Sequence, residues 1–160
     1  MIDIQALRDQ ATALRKEKKY EDARVIFQQL WEETNDKWDG WGLALCCNQV
    51  KDYETAHEIA QSVIEIDPDF QYIKQQLTRA VLQKIKDYDS KGMWDEILHI
   101  CDDLEVDELS TDDNSYSING KNITIPADRN TWYQKKTKAL EKLRRWDECL
   151  ELTNTALNDF

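Results

Sequence analysis

Residues 53–68 read Tyr-Glu-Thr-Ala-His-Glu-Ile-Ala-Gln-Ser-Val-Ile-Glu-Ile-Asp-Pro, and this stretch decides the architecture. An aromatic residue opens it. Two acidic or polar residues and a small residue follow. Ala56, Ile59, Ala60, Val63 and Ile64 then recur at helical spacing, so one face of a helix is apolar. Asp67-Pro68 ends it, because a residue before proline is pushed out of the helical region. The opening pattern occurs three more times, as Tyr20-Glu21-Asp22-Ala23, Trp94-Asp95-Glu96-Ile97 and Trp146-Asp147-Glu148-Cys149. Repetition at intervals of tens of residues points to stacked supersecondary units.

Working outward, each copy is the second helix of a pair. Ile4, Leu7, Ala11 and Leu14 place a helix before Tyr20, and Trp38, Trp41, Leu43, Ala44 and Cys47 place one before Tyr53. Phe70, Ile73, Leu77, Val81, Ile85 and Tyr88 trace a long helix before Trp94. A helix from Asn130 to about Leu143 precedes Trp146. Between the third and fourth pairs the pattern breaks. Residues 105–114 are acidic and polar, and alternation around Asn119-Gly120 predicts a β-hairpin near Tyr116–Pro126. Such a hairpin is marginal alone, so Ile118, Ile123 or Ile125 is expected to pack on a helix.

Spacing and residue types together resemble the tetratricopeptide repeat (TPR) family over nearly the whole chain. Ala23 and Ala56 are 33 residues apart, close to the family's period of about 34. Ala56 to Ile97 is 41 residues and Ile97 to Cys149 is 52, which calls for a longer helix and an insertion. The second copy matches best, with Leu43 and Ala44 in the first helix, Tyr53, Ala56 and Ala60 in the second, and Pro68 at the end. The resemblance implies an all-α fold: antiparallel helix hairpins in a right-handed superhelix, here with a small inserted β-hairpin. One domain is expected over 1–160, with pairs at about 4–34, 37–67, 70–104 and 130–158 and the insertion at about 105–127.

The resemblance also implies a concave face, lined by the first helix of each pair, that receives a peptide or a partner helix. Carried across position by position, that face includes Arg8, Arg15 and Lys16, then Trp38, Trp41 and Asn48. Later pairs contribute Arg79, Lys86 and Lys138. Cations dominate this set although the formal net charge is −11, so an acidic partner could be selected through the local field. The same cations also read as ordinary solvated helix residues. Trp38 and Trp41, three residues apart on one face, read either as groove anchors or as core. Some TPR proteins clamp a C-terminal carboxylate with Lys and Asn; Thr12 and Gly42 stand where the clamp needs Asn, so that ligand is not expected.

Other classes find less support. The acidity argues against a nucleic-acid coat or a binder of anionic membranes. A module following single-stranded nucleic acid with its basic groove, or a regulatory arm of a larger protein, is the alternative reading. Only His57 and His99 are present, in no metal-ligand spacing, and Cys46-Cys47 has no neighbouring base. No catalytic constellation, cofactor or metal site is expected. Cys46, Cys47, Cys101 and Cys149 include no C-x-x-C pair and read as reduced thiols of a cytoplasmic protein. Leu150, Thr153 and Leu157 on the last helix face the place where a further helix would sit, so more repeats or a homodimer is expected there.

Overall fold

The computed structural model describes residues 2–102, 113–118 and 120–159, with the side chains of 113–118, 121–129 and 159 outside that description. Ten elements follow in order: α1 (Ile4–Lys16), α2 (Tyr20–Thr34), α3 (Lys37–Gln49), α4 (Tyr53–Ile66), α5 (Gln71–Ser90), α6 (Trp94–Asp102), β1 (Asp113–Ile118), β2 (Lys121–Pro126), α7 (Ala127–Lys142) and α8 (Trp146–Asp159). The chain divides into two compact units, Met1–Ala80 and Val81–Phe160, with the boundary inside α5.

The turn before each aromatic is the same in all four copies. Two residues ahead of the aromatic the backbone is left-handed: Lys18 (φ 63°), Lys51 (φ 66°), Gly92 (φ 68°) and Arg144 (φ 57°). The next residue donates its N–H five positions back, Lys19 to Leu14, Asp52 to Cys47, Met93 to Tyr88 and Arg145 to Leu140, at 2.8–2.9 Å. This is the Schellman closure, which satisfies the orphan carbonyls of the first helix. That same residue's carbonyl accepts from the backbone N–H of the small or apolar residue of the motif, Ala23, Ala56, Ile97 or Cys149, at 3.0–3.2 Å. One turn thus ends a helix and starts the next. Asp3, Asp36 and Asp52 cap α1, α3 and α4 through their side chains, which compensates N–H groups that have no intrahelical partner.

In the first unit α1 packs on α2, α2 on α3 and α3 on α4. Helix α3 is therefore covered on most sides: Gly40, Gly42, Leu43, Ala44, Cys46 and Cys47 are all buried. Leu30, Leu43 and Val63 are fully buried, each contributing about 1.5–3 kcal/mol of hydrophobic stabilisation. The glycines let α3 approach its neighbours. A Cβ on Gly42 would lie 2.4 Å from the Phe27 ring, and one on Gly40 2.5 Å from Val63 and 2.9 Å from Trp31.

In the second unit α6 packs on α7 and α7 on α8. Ile85, Ile97, Leu98, Cys101, Trp132, Ala139 and Leu140 are buried. Helix α7 begins at Ala127, three residues before the expected start at Asn130. It follows Pro126 directly, and a proline beside a helix start lacks only an N–H that would have no helical partner. β1 and β2 pair antiparallel, with Asp113 opposite Pro126 and Ile118 opposite Lys121. The side chains of Ile118, Ile123 and Ile125 and the acidic loop at 105–112 lie outside the described residues.

Candidate functional site

Helix α1 carries Arg8, Thr12 and Arg15 at intervals of four and three residues, so they share a face. Opposite them α3 presents Trp38, Asp39 and Trp41. Together with Asp36 and Phe27 these residues line a cavity of about 330 Å³. The cavity lies between the first helices of the first two hairpins.

Its charges are partly paired. The Arg8 guanidinium makes a two-point contact with Asp39: Nε donates to Oδ1 at 3.1 Å and a terminal nitrogen to Oδ2 at 2.8 Å. Thr34 Oγ1 donates to the same Oδ2 at 2.7 Å. Asp39 is only 2% exposed, so its charge depends on these partners. Hydrogen bonding to Asp39 raises the Arg8 pKa above its ordinary value. The sequence reading of a cation-rich face omitted Asp39. Its signal was present: one acid between Trp38 and Gly40, in the helix with the longest run of small and apolar residues.

Arg15 stands differently. Its guanidinium carbon lies 5.2 Å from the Trp41 ring centroid, a cation–π contact. Arg15 Nε and Trp41 Nε1 are both buried, and neither has a hydrogen-bond partner. Beside them, Trp38 packs edge-on against Trp41 and Phe70, at centroid distances of 5.9 and 4.9 Å. It also lies 5.5 Å from Tyr72. Trp38 is 48% exposed and Tyr72 53% exposed, an unusual state for two large rings in contact. Lys37 extends the cluster, with Nζ 5.0 Å from the Phe70 ring and an ion pair to Asp67 at 2.7 Å. That pairing with Lys37 holds the Asp67 carboxyl below its ordinary pKa. Phe70 and Tyr72 were not among the expected site residues; their signal is an aromatic pair two apart at the start of α5.

The other expected residues are placed as follows. Asn48 is buried, and its Nδ2 donates to the Gln76 carbonyl at 3.0 Å and to Gln76 Oε1 at 2.9 Å, tying α3 to α5. Lys16 and Arg79 are exposed in the first unit, and Lys86 is exposed in the second. Lys138 meets Asp89 Oδ1 at 2.7 Å and lies 5.5 Å from the Trp94 ring. Lys135 donates to Asp89 Oδ2 at 2.6 Å. The hydrogen bonds from Lys135 and then Lys138 lower the Asp89 pKa. Gly42 faces Phe27. Arg8, Arg15, Trp38 and Trp41 therefore come together, while Asn48 is spent on an interhelical tie.

Burial pushes the Cys46 thiol up to about 12, Cys47 to about 11 and Cys101 to about 12. They are protonated at neutral pH and poor nucleophiles. Among the described residues no group of three His, Cys, Asp or Glu side chains could hold a metal ion. No helix among them is long and apolar enough to cross a membrane. Trp146, Leu150 and Leu157 form an exposed apolar stripe on α8, at 60%, 64% and 69% exposure.

Helical hairpins joined by one repeated turn define a TPR-like fold. The chain is similar in structure to a thermophilic TPR protein of Thermus thermophilus. The match has a TM-score of 0.52 and 13% sequence identity, and covers 98% of this chain and 74% of that one. No protein-family model and no curated protein matches the sequence.

Proposed function

We propose that the chain is a non-enzymatic protein-interaction module that binds a peptide or partner helix on the face shared by α1 and α3. The supporting observation is the pair of half-exposed rings, Trp38 and Tyr72, in contact beside a cavity lined by Arg15 and Trp41. The exposed rings of Trp38 and Tyr72 adjoin the same place and suit the apolar part of such a ligand. Because Asp39 neutralises Arg8, selection of an acidic ligand rests on Arg15, with Lys16 beside it. The division into pairs at about 4–34, 37–67, 70–104 and 130–158 belongs to the same proposal. So does the use of the α8 stripe for further repeats or a second copy, which sedimentation over a range of concentrations tests.

Peptides selected from a random display library against the full chain test the main reading. Replacing Arg15 by Ala or Trp38 by Ala should weaken the selected peptides by about tenfold or more, the scale of an interface anchor. Circular dichroism should show the fold retained. Selected peptides that bind the Arg15→Ala and Trp38→Ala variants as tightly as the parent would refute the site. Arg8 is unsuited to this test, since its charge reversal would strand the buried Asp39.

A further inference from the structure

Helix α8 carries Trp146, Leu150, Thr153 and Leu157 at intervals of four, three and four residues. That is the period of a coiled-coil seam, and it sets the four side chains on one face. All four are exposed. Cys149, Leu152 and Ala156, on another face, are half-buried, and α8 packs on α7. The seam is therefore left over after α8 has completed its own hairpin. Single exposed apolar residues are ordinary, but a row of them in register along one helix marks an interaction surface. The spacing also selects the shape of the cover. An extended strand repeats every two residues, so a helix is the element that keeps step with positions 146, 150, 153 and 157.

One edge of the seam is acidic. Asp147 and Glu151, four residues apart, flank Trp146 and Leu150 on the side away from Cys149 and Ala156. Both acids are exposed, and among the described residues neither has an ion-pair partner. Glu148, by contrast, is paired with Arg145. The opposite edge, Cys149 and Ala156, brings no charge. We propose that, of the covers open to this stripe, the occupant is an amphipathic helix of another protein. Its apolar row faces α8, and lysine or arginine lines the edge beside Asp147 and Glu151. Charge opposes a second copy, because two α8 helices paired antiparallel would set acidic edge against acidic edge. The inference rests on reading the α8 stripe as a docking face and shares no residue with the α1–α3 site, so each can fail alone.

The probes are a pair of three-heptad peptides with leucine at positions a and d and glutamine at b, c and f. One carries lysine at e and g, the other glutamate. Like charges on both edges keep each peptide from pairing with itself. Binding to the full chain is read by fluorescence anisotropy at physiological ionic strength, where long-range attraction between exposed charges is screened. The lysine peptide should bind at least about tenfold more tightly than the glutamate peptide. Leu150→Ser with Leu157→Ser should weaken it by about tenfold or more. Asp147→Lys with Glu151→Lys should reverse the preference. All four positions are exposed, so circular dichroism should show the helices retained. Equal binding of the two peptides overturns the proposal. So does lysine-peptide binding that survives the serine replacements, which would be general attraction to a chain of net charge −11. Binding lost on Trp38→Ala would place the peptide on the α1–α3 face and overturn it as well. Self-association in sedimentation that Leu150→Ser abolishes would make a second copy the cover, with the same consequence. Should the serine variant lose helicity, the preference of the charge-reversed chain still decides.

Discussion

Gly42→Ala separates two opposed effects by sign. In a helix interior, alanine is favoured over glycine by about 1 kcal/mol, so propensity alone predicts stabilisation. The packing predicts the reverse. The added methyl would sit 2.4 Å from Phe27 Cε1 and 2.7 Å from Cδ1 and Cζ. Carbon atoms rest at about 3.5–4 Å, so the ring or the whole of α2 must withdraw by about 1 Å. Phe27 is 5% exposed, and Leu30 and Leu43 beside this interface are fully buried, so the ring has little space to move into. Overpacking of this kind costs about 1–3 kcal/mol. With the propensity gain subtracted, the variant should lose up to about 2 kcal/mol. Urea unfolding followed by circular dichroism should therefore show a lower midpoint. Phe27→Leu removes the ring atoms that the methyl would strike. In that background Gly42→Ala should be neutral or stabilising, a coupling of at least about 1 kcal/mol. A raised midpoint in the parent chain, or the same penalty in both backgrounds, would refute the close-approach account of α3.

The shared left-handed turn predicts opposite effects at equivalent positions: Gly92→Ala should cost about 1 kcal/mol and Lys51→Gly should gain a few tenths or more, both read from urea midpoints. Asp89 should add an acid limb to stability. Its folded pKa is lowered, so its contribution is present above the unfolded carboxylate pKa of about 3.9 and is lost as pH falls through the lower folded value. Asp89→Asn should flatten that limb in an acid titration monitored by circular dichroism, leaving only the slope from other carboxylates. Native alkylation with iodoacetamide should label Cys149, which is half-buried, and spare Cys46, Cys47 and Cys101 until the chain unfolds. Mass spectrometry of the labelled peptides reads this directly.

Much of the helical organisation was legible in the sequence because its causes are local. Tyr20, Tyr53, Trp94 and Trp146 mark helix starts through residues within one turn of each. Apolar spacing depends only on the helical period, and Pro68 stops α4 through its own ring. The Schellman turns escaped the sequence reading at Lys18, Lys51 and Arg144, because only Gly92 advertises a left-handed backbone by residue type. The site was decided by tertiary structure. Arg8 and Asp39 are 31 residues apart, Asn48 and Gln76 28, and Lys135 and Asp89 46. Whether such groups meet depends on the crossing of helices, and nothing in either residue's neighbourhood specifies it. The same holds for Arg15, Trp41 and Trp132. A sequence shows that these side chains carry donors; only the packed chain shows which donors were left without acceptors, because satisfaction is a property of surroundings assembled from distant segments.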